Sequence, residues 1–164
     1  MLPQDIEAIA EAVVRQAEAK GLMITTAESC TGGLVSGALT AIAGSSAVLD
    51  RGFVTYSNEA KVEMLGVDSD LLASFGAVSE STARAMAEGA VARSRASIAV
   101  SVTGIAGPGG GSPQKPVGLV HFAVHGLNGR TVHLEKRFGD LGRDAIRLES
   151  VRTALGLLMD AVSE

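Results

Sequence analysis

The sequence predicts an α/β protein, a three-layer α/β/α sandwich built on a five-stranded mixed sheet. Segments with helical and with strand periodicity alternate along most of the chain, as they do where helical crossovers join parallel strands. The apolar residues are mainly Ala, Val, Leu and Ile, with four Phe, one Tyr and no Trp, which favours close packing of helices on a sheet. Near the carboxyl end, Asn128-Gly129 separates two strand-like segments and predicts a β-hairpin.

The 164 residues fall within the usual size of one domain, and no repeat or linker divides them, so a single domain over 1–164 is expected. The apolar spacing first predicts an amphipathic helix, a short buried strand and a small-residue helix, with Gly21 and Gly44 ending the two helices. A second strand follows, then a short helix with Asn58 as its N-cap, another short helix and a longer helix capped by Ser79. The first helix is expected at 3–20, the first strand at 22–27 and the small-residue helix at 34–44. The second strand is expected at 51–57, and the two short helices at 59–65 and 68–75.

The second half of the chain contains the other three predicted strands. Residues 97–104 predict a third strand, and residues 105–116 after it are too rich in Gly and Pro for regular structure. The hairpin strands are expected at 117–125 and 130–138, and the last alternates apolar and polar residues as an edge strand does. A final amphipathic helix is expected at 143–162.

The connections between these elements limit the order of the strands. Helical crossovers make strands one to three parallel, and the hairpin makes strand four antiparallel to strands three and five. If the crossovers place strands two and three on opposite sides of strand one, the order is 2-1-3-4-5, with a crevice beyond the carboxyl ends of strands one and three. The loops "ESCTGG" (28–33), "YSNEAK" (56–61) and "TGIAGPGGG" (103–111) all fall at that edge, where we expect a functional site.

Charge and cysteine content argue against several classes of protein. The net charge is -4 and no stripe of Lys or Arg is present, so direct binding of nucleic acid is not expected. The single Cys30 cannot form an intramolecular disulfide, and the chain shows neither a leader-like segment nor an apolar run of about 18 residues. We therefore expect a cytoplasmic protein with no membrane partner.

Most familiar catalytic motifs are absent from the sequence. It lacks a phosphate loop, a dinucleotide-binding fingerprint and a nucleophile elbow, so ATP hydrolysis, dinucleotide redox chemistry and Ser-His-Asp hydrolysis lose support. The one S-x-x-K match, Ser112 to Lys115, contains Pro113 in a Gly-Pro loop and is interpreted as chance. The three histidines lie on the predicted hairpin, away from the carboxyl-edge loops, so a surface or packed pair is expected rather than a metal site.

A serine and a lysine at the predicted edge could form a catalytic pair. A serine hydroxyl needs a base, and with no histidine in these loops the available base is a neutral lysine. Lys61 falls in the first turn of a helix at an apolar crevice, where the helix dipole and desolvation both disfavour the ammonium form. Its pKa is therefore expected to fall toward neutrality. Ser29 would be the nucleophile, with Tyr56 holding the amine or passing a proton and Thr103 close by.

Backbone N–H groups after Ser29 could hold an oxyanion or a phosphate. If the chain enters a helix directly after this residue, the N–H groups of Cys30, Thr31 and Gly32 have no helical partner and point outward. Gly32 and Gly33 would also let a ligand approach the backbone closely.

Each candidate also has a purely structural interpretation. Ser29 or Thr31 could simply cap the helix. Cys30 could be a packed thiol, Lys61 a solvated lysine and Tyr56 an aromatic residue at the edge of the crevice. Thr103 could be a hydroxyl at the end of a strand, and residues 104–111 could be a flexible turn. Their convergence on one edge favours a functional site without fixing its substrate.

Five segments match a known family in order and over most of the chain. They are "AESCTGG" (27–33), "GSSAVLDRGFVTYSNEAK" (44–61), "GAVSE" (76–80), "SVTGIAGPGGGSPQKPVG" (101–118) and "GRDAIR" (142–147). With these segments the chain resembles the C-terminal domain family of the competence/damage-inducible protein CinA, which includes stand-alone nicotinamide-nucleotide amidohydrolases.

The resemblance implies hydrolysis of the carboxamide of nicotinamide mononucleotide to nicotinate mononucleotide and ammonia, a step of pyridine nucleotide salvage. It implies Ser29 as nucleophile and Lys61 as base, with Tyr56 and Thr103 assisting in proton relay and positioning. The implied substrate-binding candidates are Cys30, Thr31, Gly32, Gly33, Ser45, Ser46, Gly104, Gly107 and Arg143. No metal or organic cofactor is implied, and family members tend to form homodimers.

Two questions stay open at the level of sequence. In "FGDLGRDAIR" (138–147) the arginine is offset by two residues from the family pattern, so either Arg143 or Arg147 could contact the substrate phosphate. The alternative function is a non-catalytic module that binds a nucleotide phosphate or a competence or repair protein. That alternative predicts a charged Lys61 and binding without turnover.

Overall fold

The computed structural model describes residues 1–164 and confirms the predicted α/β sandwich. The helices are α1 (Gln4–Ala19), α2 (Leu34–Thr40), α3 (Asn58–Leu65), α4 (Ser69–Phe75), α5 (Glu80–Ala92) and α6 (Arg143–Val162). The strands are β1 (Ile24–Glu28), β2 (Leu49–Val54), β3 (Ile98–Gly104), β4 (Leu119–His125) and β5 (Thr131–Arg137), with a single 3-10 turn at Ser45–Ala47. None of the helices combines the length and the apolarity needed to cross a lipid bilayer.

The sheet has the predicted order β2-β1-β3-β4-β5. Strand β1 is parallel to both β2 and β3, whereas β4 is antiparallel to both β3 and β5. At the carboxyl end of β1, Glu28 pairs with Val54 of β2 and with Val102 of β3. The loops that follow these three parallel strands therefore leave from one edge of the sheet, as expected.

Helices cover both faces of the sheet. On one face, α1, α2 and α6 pack over the larger apolar core, to which β3 contributes Val100 and Val102. On the other face, α5 packs against the strands, with α3 and α4 packed against α5, and the alternate residue Ala99 of β3 belongs to the smaller core there. Because alternate residues of a strand point to opposite faces, β3 is apolar towards the larger core, whereas its other face also carries Ser101, whose buried hydroxyl donates to Ala83 O of α5 at 2.6 Å.

Two helix boundaries differ from the sequence prediction. The N-cap of α3 is Ser57 rather than Asn58: Ser57 has extended backbone angles and its hydroxyl accepts from Ala60 N at 3.0 Å, while Asn58 is already helical. Helix α2 ends at Thr40, before the expected Gly44. The predicted Ser79 cap is confirmed, with its hydroxyl accepting from Thr82 N at 3.1 Å.

Glu28 caps helix α2 from the end of β1. Its carboxylate is fully buried and accepts from Val35 N at 2.9 Å and from Ser36 N at 3.0 Å. The residue before the helix, Gly33, has a left-handed backbone (φ 103°) and no side chain with which to cap. The expectation that Ser29 or Thr31 could cap this helix is therefore wrong, because the strand-end carboxylate already satisfies its first N–H groups.

Candidate active site

Ser29 and Lys61 meet at the carboxyl edge of the sheet. Ser29 is the first residue after β1, and its N–H donates to Val102 O of β3 at 2.9 Å, which fixes it beside the central strand. Lys61 lies in the first turn of α3, which follows β2 after a short connection. Lys61 Nζ is 3.1 Å from Ser29 Oγ, so the parallel pairing of β1 and β2 brings together side chains 32 positions apart.

The Lys61 side chain is buried without a compensating charge. It is 1% exposed, and none of the ion pairs in the structure includes it. Burial removes water from the ammonium group and so disfavours its charged form. The pKa of Lys61 is lowered by this desolvation to about 8, in the direction expected from the sequence.

The remaining partners of the Lys61 amine are backbone carbonyls. Nζ donates to Thr55 O at 2.7 Å and lies 3.4 Å from Tyr56 O. A neutral amine has two N–H donors and one lone pair, so donation to these two carbonyls leaves the lone pair for the Ser29 hydroxyl. This arrangement suits Lys61 to accept the proton of Ser29, which is the geometry required of a general base.

A cavity of about 200 Å³ opens over the Ser-Lys pair. Its lining consists of Ser29, Cys30, Tyr56, Lys61, Ala77, Val78, Thr103, Gly104, Ala106 and Arg143. The charged side chains among them are Lys61 and Arg143, and no acidic residue lines the cavity, so the site favours an anionic ligand. Ala77 and Val78 form a wall of the cavity that was not among the predicted site residues: their apolar side chains suggest no catalytic role, although both belong to the matching segment "GAVSE" (76–80).

The other predicted catalytic residues also line this cavity. Tyr56 is 63% exposed, and its phenolic oxygen accepts from Arg143 Nη2 at 3.3 Å. Arg143 Nη1 donates to Gly107 O at 2.7 Å, which ties the glycine-rich loop to the start of α6. Thr103 is buried, and its hydroxyl donates to Ala77 O at 2.9 Å. Tyr56 contacts the Lys61 amine through its backbone carbonyl and not through its hydroxyl.

The turn after Ser29 differs in detail from the predicted helix start. Helix α2 begins at Leu34, and residues 30–33 form a turn in which Gly32 N donates to Ser29 O at 3.0 Å. The expectation of a free Gly32 N–H is therefore wrong, because the turn uses this donor. The N–H groups of Cys30 and Thr31 have no protein acceptor and remain candidates for an oxyanion.

The two alternative arginines of α6 have different surroundings. Arg143 lines the cavity. Arg147 does not line it, and instead donates through Nε to Cys30 O at 3.1 Å and through Nη2 to Thr31 O at 3.4 Å. Of the two, Arg143 is therefore the one placed to contact a ligand in this cavity.

Ser45 and Ser46 lie at the opposite edge of the sheet. They form the 3-10 turn that leads into the start of β2, and Val48 O at that turn accepts from Ile24 N at the start of β1. Five strand residues at about 3.3 Å each separate this edge from the carboxyl edge. Within one chain, the expectation that these serines join the substrate site is wrong, because the strand carries the chain to the far edge before Ser29 is reached.

Cys30 lines the cavity as a buried thiol. It is 6% exposed, and burial raises the pKa of the thiol to about 11. The thiolate, which is the nucleophilic form of cysteine, is therefore disfavoured at neutral pH. The neighbouring Thr31 is fully buried and does not line the cavity, so its side chain does not contact a ligand there.

One of the three histidines lies nearer to the site than predicted. His121 of β4 pairs in the sheet with Thr103, so the expectation that they lie away from the carboxyl-edge loops is wrong for this one. The cause is the antiparallel hairpin, which returns the start of β4 to the carboxyl end of β3. His121 Nδ1 is 2.9 Å from His133 Nε2 and the two rings stack. This pair does not line the cavity, and no group of three or more His, Cys, Asp or Glu side chains is arranged to hold a metal ion.

Known proteins resemble this chain in both sequence and structure. The model of the CinA C-terminal domain matches residues 6–162. The nicotinamide-nucleotide amidohydrolase PncC of Escherichia coli strain K12 is 49% identical over 159 residues, which are 96% of this chain and 95% of that protein. A CinA-like protein of Synechococcus is 52% identical over 155 residues, 94% of this chain, but the match spans only 37% of that protein.

Solved structures show the same relationship. The competence/damage inducible protein CihA from Agrobacterium tumefaciens superimposes with a TM-score of 0.97 at 60% sequence identity, covering 100% of this chain and 99% of that one. The competence damage-inducible protein A from Klebsiella pneumoniae superimposes with a TM-score of 0.91 at 38% identity. From the family match and these relatives, the chain belongs to the CinA C-terminal domain family.

Proposed function

We propose that this protein is an amidohydrolase that converts nicotinamide mononucleotide to nicotinate mononucleotide and ammonia by a Ser-Lys mechanism. The substrate follows from the PncC relatives, which are named nicotinamide-nucleotide amidohydrolases and match this chain at 49% to 54% identity over most of its length. The observation that carries the mechanism is the 3.1 Å contact between Ser29 Oγ and a lysine amine whose pKa is about 8.

In the first half of the proposed reaction, Ser29 Oγ attacks the carboxamide carbon while Lys61 Nζ takes the hydroxyl proton. The C=O double bond becomes an oxyanion, which the N–H groups of Cys30 and Thr31 stabilise. When the carbonyl re-forms, the C–N bond breaks and Lys61 returns the proton to the leaving nitrogen, which departs as ammonia. Ser29 is left as a nicotinoyl ester.

In the second half, water attacks the ester carbon and Lys61 takes a proton from that water. Collapse of the second oxyanion breaks the bond to Ser29 Oγ, and the same proton returns to the serine. The product carboxylic acid then ionises to nicotinate mononucleotide. One lysine thus acts twice as base and twice as acid, which requires a pKa near the working pH.

Charge in the cavity supports a nucleotide substrate. The substrate phosphate is anionic, and the cavity offers Arg143 at its wall with no acidic side chain to oppose binding. Tyr56 holds the Arg143 guanidinium through its phenolic oxygen, and Gly107 O holds it from the glycine-rich loop. We therefore assign phosphate binding to Arg143, with Tyr56 and Thr103 shaping the cavity beside the Ser-Lys pair.

The test is ammonia release from nicotinamide mononucleotide by the purified protein, with nicotinate mononucleotide identified by chromatography. Ser29→Ala and Lys61→Met are each expected to lower kcat by at least about 10³-fold. Ser112→Ala is the matched control. Ser112 and Lys115 form the S-x-x-K sequence match, but the Ser112 hydroxyl accepts from the backbone N–H of Lys115 in a loop turn and does not contact the lysine amine. Wild-type turnover by Ser29→Ala would rule out the mechanism.

A non-catalytic phosphate-binding module is less well supported. Phosphate binding does not require a lysine of lowered pKa, whereas burial lowers the pKa of Lys61 to about 8, and the amine lies 3.1 Å from the Ser29 hydroxyl as a base would. From the family resemblance we further propose that the chain acts as a homodimer. Sedimentation equilibrium of the purified protein tests this proposal, and a monomer throughout the micromolar range would contradict it.

A further inference from the structure

Arg147 contacts the backbone of the turn that carries the nucleophile. It lies one helical turn after Arg143 on α6, but its guanidinium does not line the cavity. Nε donates to Cys30 O at 3.1 Å and Nη2 to Thr31 O at 3.4 Å. The same side chain therefore holds two consecutive carbonyls immediately after Ser29.

The geometry of a peptide bond links these carbonyls to N–H groups on the opposite side. In a trans peptide, C=O and N–H point in opposite directions within one plane. The carbonyl of Cys30 shares its plane with the N–H of Thr31, which has no protein acceptor. A guanidinium on Cys30 O therefore fixes the direction of the Thr31 N–H, and its positive charge polarises this peptide and strengthens the N–H as a donor.

The surroundings leave room for this contact and hold it in place. Gly32 has a left-handed backbone (φ 59°), which favours glycine in this turn, and a Cβ added there would make an ordinary van der Waals contact with Arg147 Nη2 at 3.4 Å. Arg147 follows the fully buried Ile146 on a helix that packs against α1 and the central strands. The arginine is thus anchored to the larger core and not to a mobile surface.

We propose that Arg147 is a positioning residue that orients and polarises the Cys30–Thr31 peptide, so that the Thr31 N–H can stabilise the oxyanion formed at Ser29. This inference rests on the proposed acyl transfer at Ser29 but not on the identity of the substrate. It assigns Arg147 to transition-state stabilisation through the backbone, and it leaves phosphate binding to Arg143.

The experiment compares Arg147→Met with wild type in two assays. In the first, Arg147→Met lowers kcat for nicotinamide mononucleotide by about 10- to 100-fold, less than the 10²- to 10³-fold typical of deleting an oxyanion donor itself. KM changes by less than about threefold, and the pH limb set by Lys61 stays in place. In the second, labelling of Ser29 by a fluorophosphonate slows by a similar factor, because phosphonylation also develops negative charge on oxygen.

Two further variants separate this role from simple loss of stability. Arg147→Lys keeps one cationic donor for Cys30 O and is expected to recover part of the lost rate. Arg152→Met removes another cation from α6, one that pairs with Asp5 and Glu149 away from the site, and should leave both assays unchanged. The backbone amide resonance of Thr31 should move in Arg147→Met and not in Arg152→Met.

The outcomes distinguish this inference from the proposed function. Wild-type labelling of Ser29 without ammonia release would reject nicotinamide mononucleotide as substrate, while slower labelling of Arg147→Met would still support the positioning role. Conversely, a wild type that releases ammonia alongside an Arg147→Met variant with unchanged kcat, unchanged labelling and an unmoved Thr31 resonance would overturn the inference about Arg147. A change in KM with unchanged kcat would also overturn the inference, because that result is expected of an arginine that binds the substrate.

Discussion

Lys61 Nζ lies 3.1 Å from Ser29 Oγ in a buried position where no carboxylate neutralises the amine. A salt-bridged lysine would stay protonated and could not accept the serine proton. Here desolvation lowers the pKa of the lysine to about 8, so a useful fraction is neutral near physiological pH.

The first prediction concerns the pH dependence of activity. Only the neutral amine can act as the base, so kcat/KM should rise with pH up to about 8 and level off above it. Lys61→Arg should remove this activity, because a guanidinium keeps its proton throughout the range. The measurement is ammonia release between pH 6 and 9.5, and a flat profile across that range would contradict the role given to Lys61.

The second prediction is that Lys61 costs stability. The folded lysine releases its proton near pH 8 and the unfolded one near 10.5, so at pH 7 the folded protein pays about 3 kcal/mol to keep the amine charged. This cost disappears as the pH rises from about 8 to about 10.5. Lys61→Met should therefore raise the free energy of unfolding at pH 7 by roughly 1–2 kcal/mol after the loss of its hydrogen bonds.

Urea denaturation at pH 7 and at pH 9.5 checks this prediction. The difference in the free energy of unfolding between Lys61→Met and wild type should be smaller at the higher pH, because the amine of wild-type Lys61 is then neutral in the folded protein. A variant that is less stable than wild type at both values would show that the hydrogen bonds of Lys61 outweigh its desolvation cost.

The third prediction concerns the buried cap of α2. Glu28→Ala leaves the N–H groups of Val35 and Ser36 buried without an acceptor and should destabilise the protein by about 2–4 kcal/mol. Asp68→Ala is the comparison, because Asp68 is an exposed N-cap of α4, and its loss should cost only about 1 kcal/mol. Equal losses in chemical denaturation would mean that burial of Glu28 adds nothing to its capping role.

The fourth prediction uses two glycines inside helices. A Cβ at Gly89 of α5 would lie 2.0 Å from Leu65 O, at the end of the helix that carries Lys61. Gly89→Ala should therefore destabilise the fold by about 1–3 kcal/mol and lower activity by displacing α3. Gly156→Ala on α6, where nothing lies within 4 Å, should instead stabilise it by about 0.5–1 kcal/mol. Thermal unfolding of the two variants decides whether close packing at Gly89 outweighs helix propensity.

The fifth prediction separates the serine from the adjacent thiol. Because burial raises the pKa of Cys30 to about 11, Cys30→Ala should keep ammonia release within about tenfold of wild type, whereas Ser29→Ala should lose it. Iodoacetamide at pH 7.5 should modify Cys30 slowly in the native protein and rapidly in urea. Fast native modification together with loss of activity in Cys30→Ala would point to a cysteine nucleophile instead.

Local patterns in the sequence determined the architecture. Helical and strand periodicity, the Ser79 cap and the Asn128-Gly129 turn depend on neighbouring residues, and these patterns predicted the elements. With the crossovers taken to place strands two and three on opposite sides of strand one, they also predicted the order 2-1-3-4-5. The same order predicted that the loops after β1, β2 and β3 share one edge. Convergence of Ser29, Lys61, Tyr56 and Thr103 on one cavity follows from that topology.

Tertiary structure alone decided which atoms of these loops are free to act. The acceptors of Lys61 and Arg147 are backbone carbonyls, which no side-chain motif encodes, and the partners of Glu28 are the N–H groups of a helix seven and eight residues later. Likewise, the family resemblance implied Ser45 as a substrate-binding residue, and only the direction of β2 placed it at the far edge of the sheet. Residue identity determines which groups are able to titrate or to act as a nucleophile. Packing of the whole chain sets the burial of these groups and the distances between them, and so determines which of them are placed to do so.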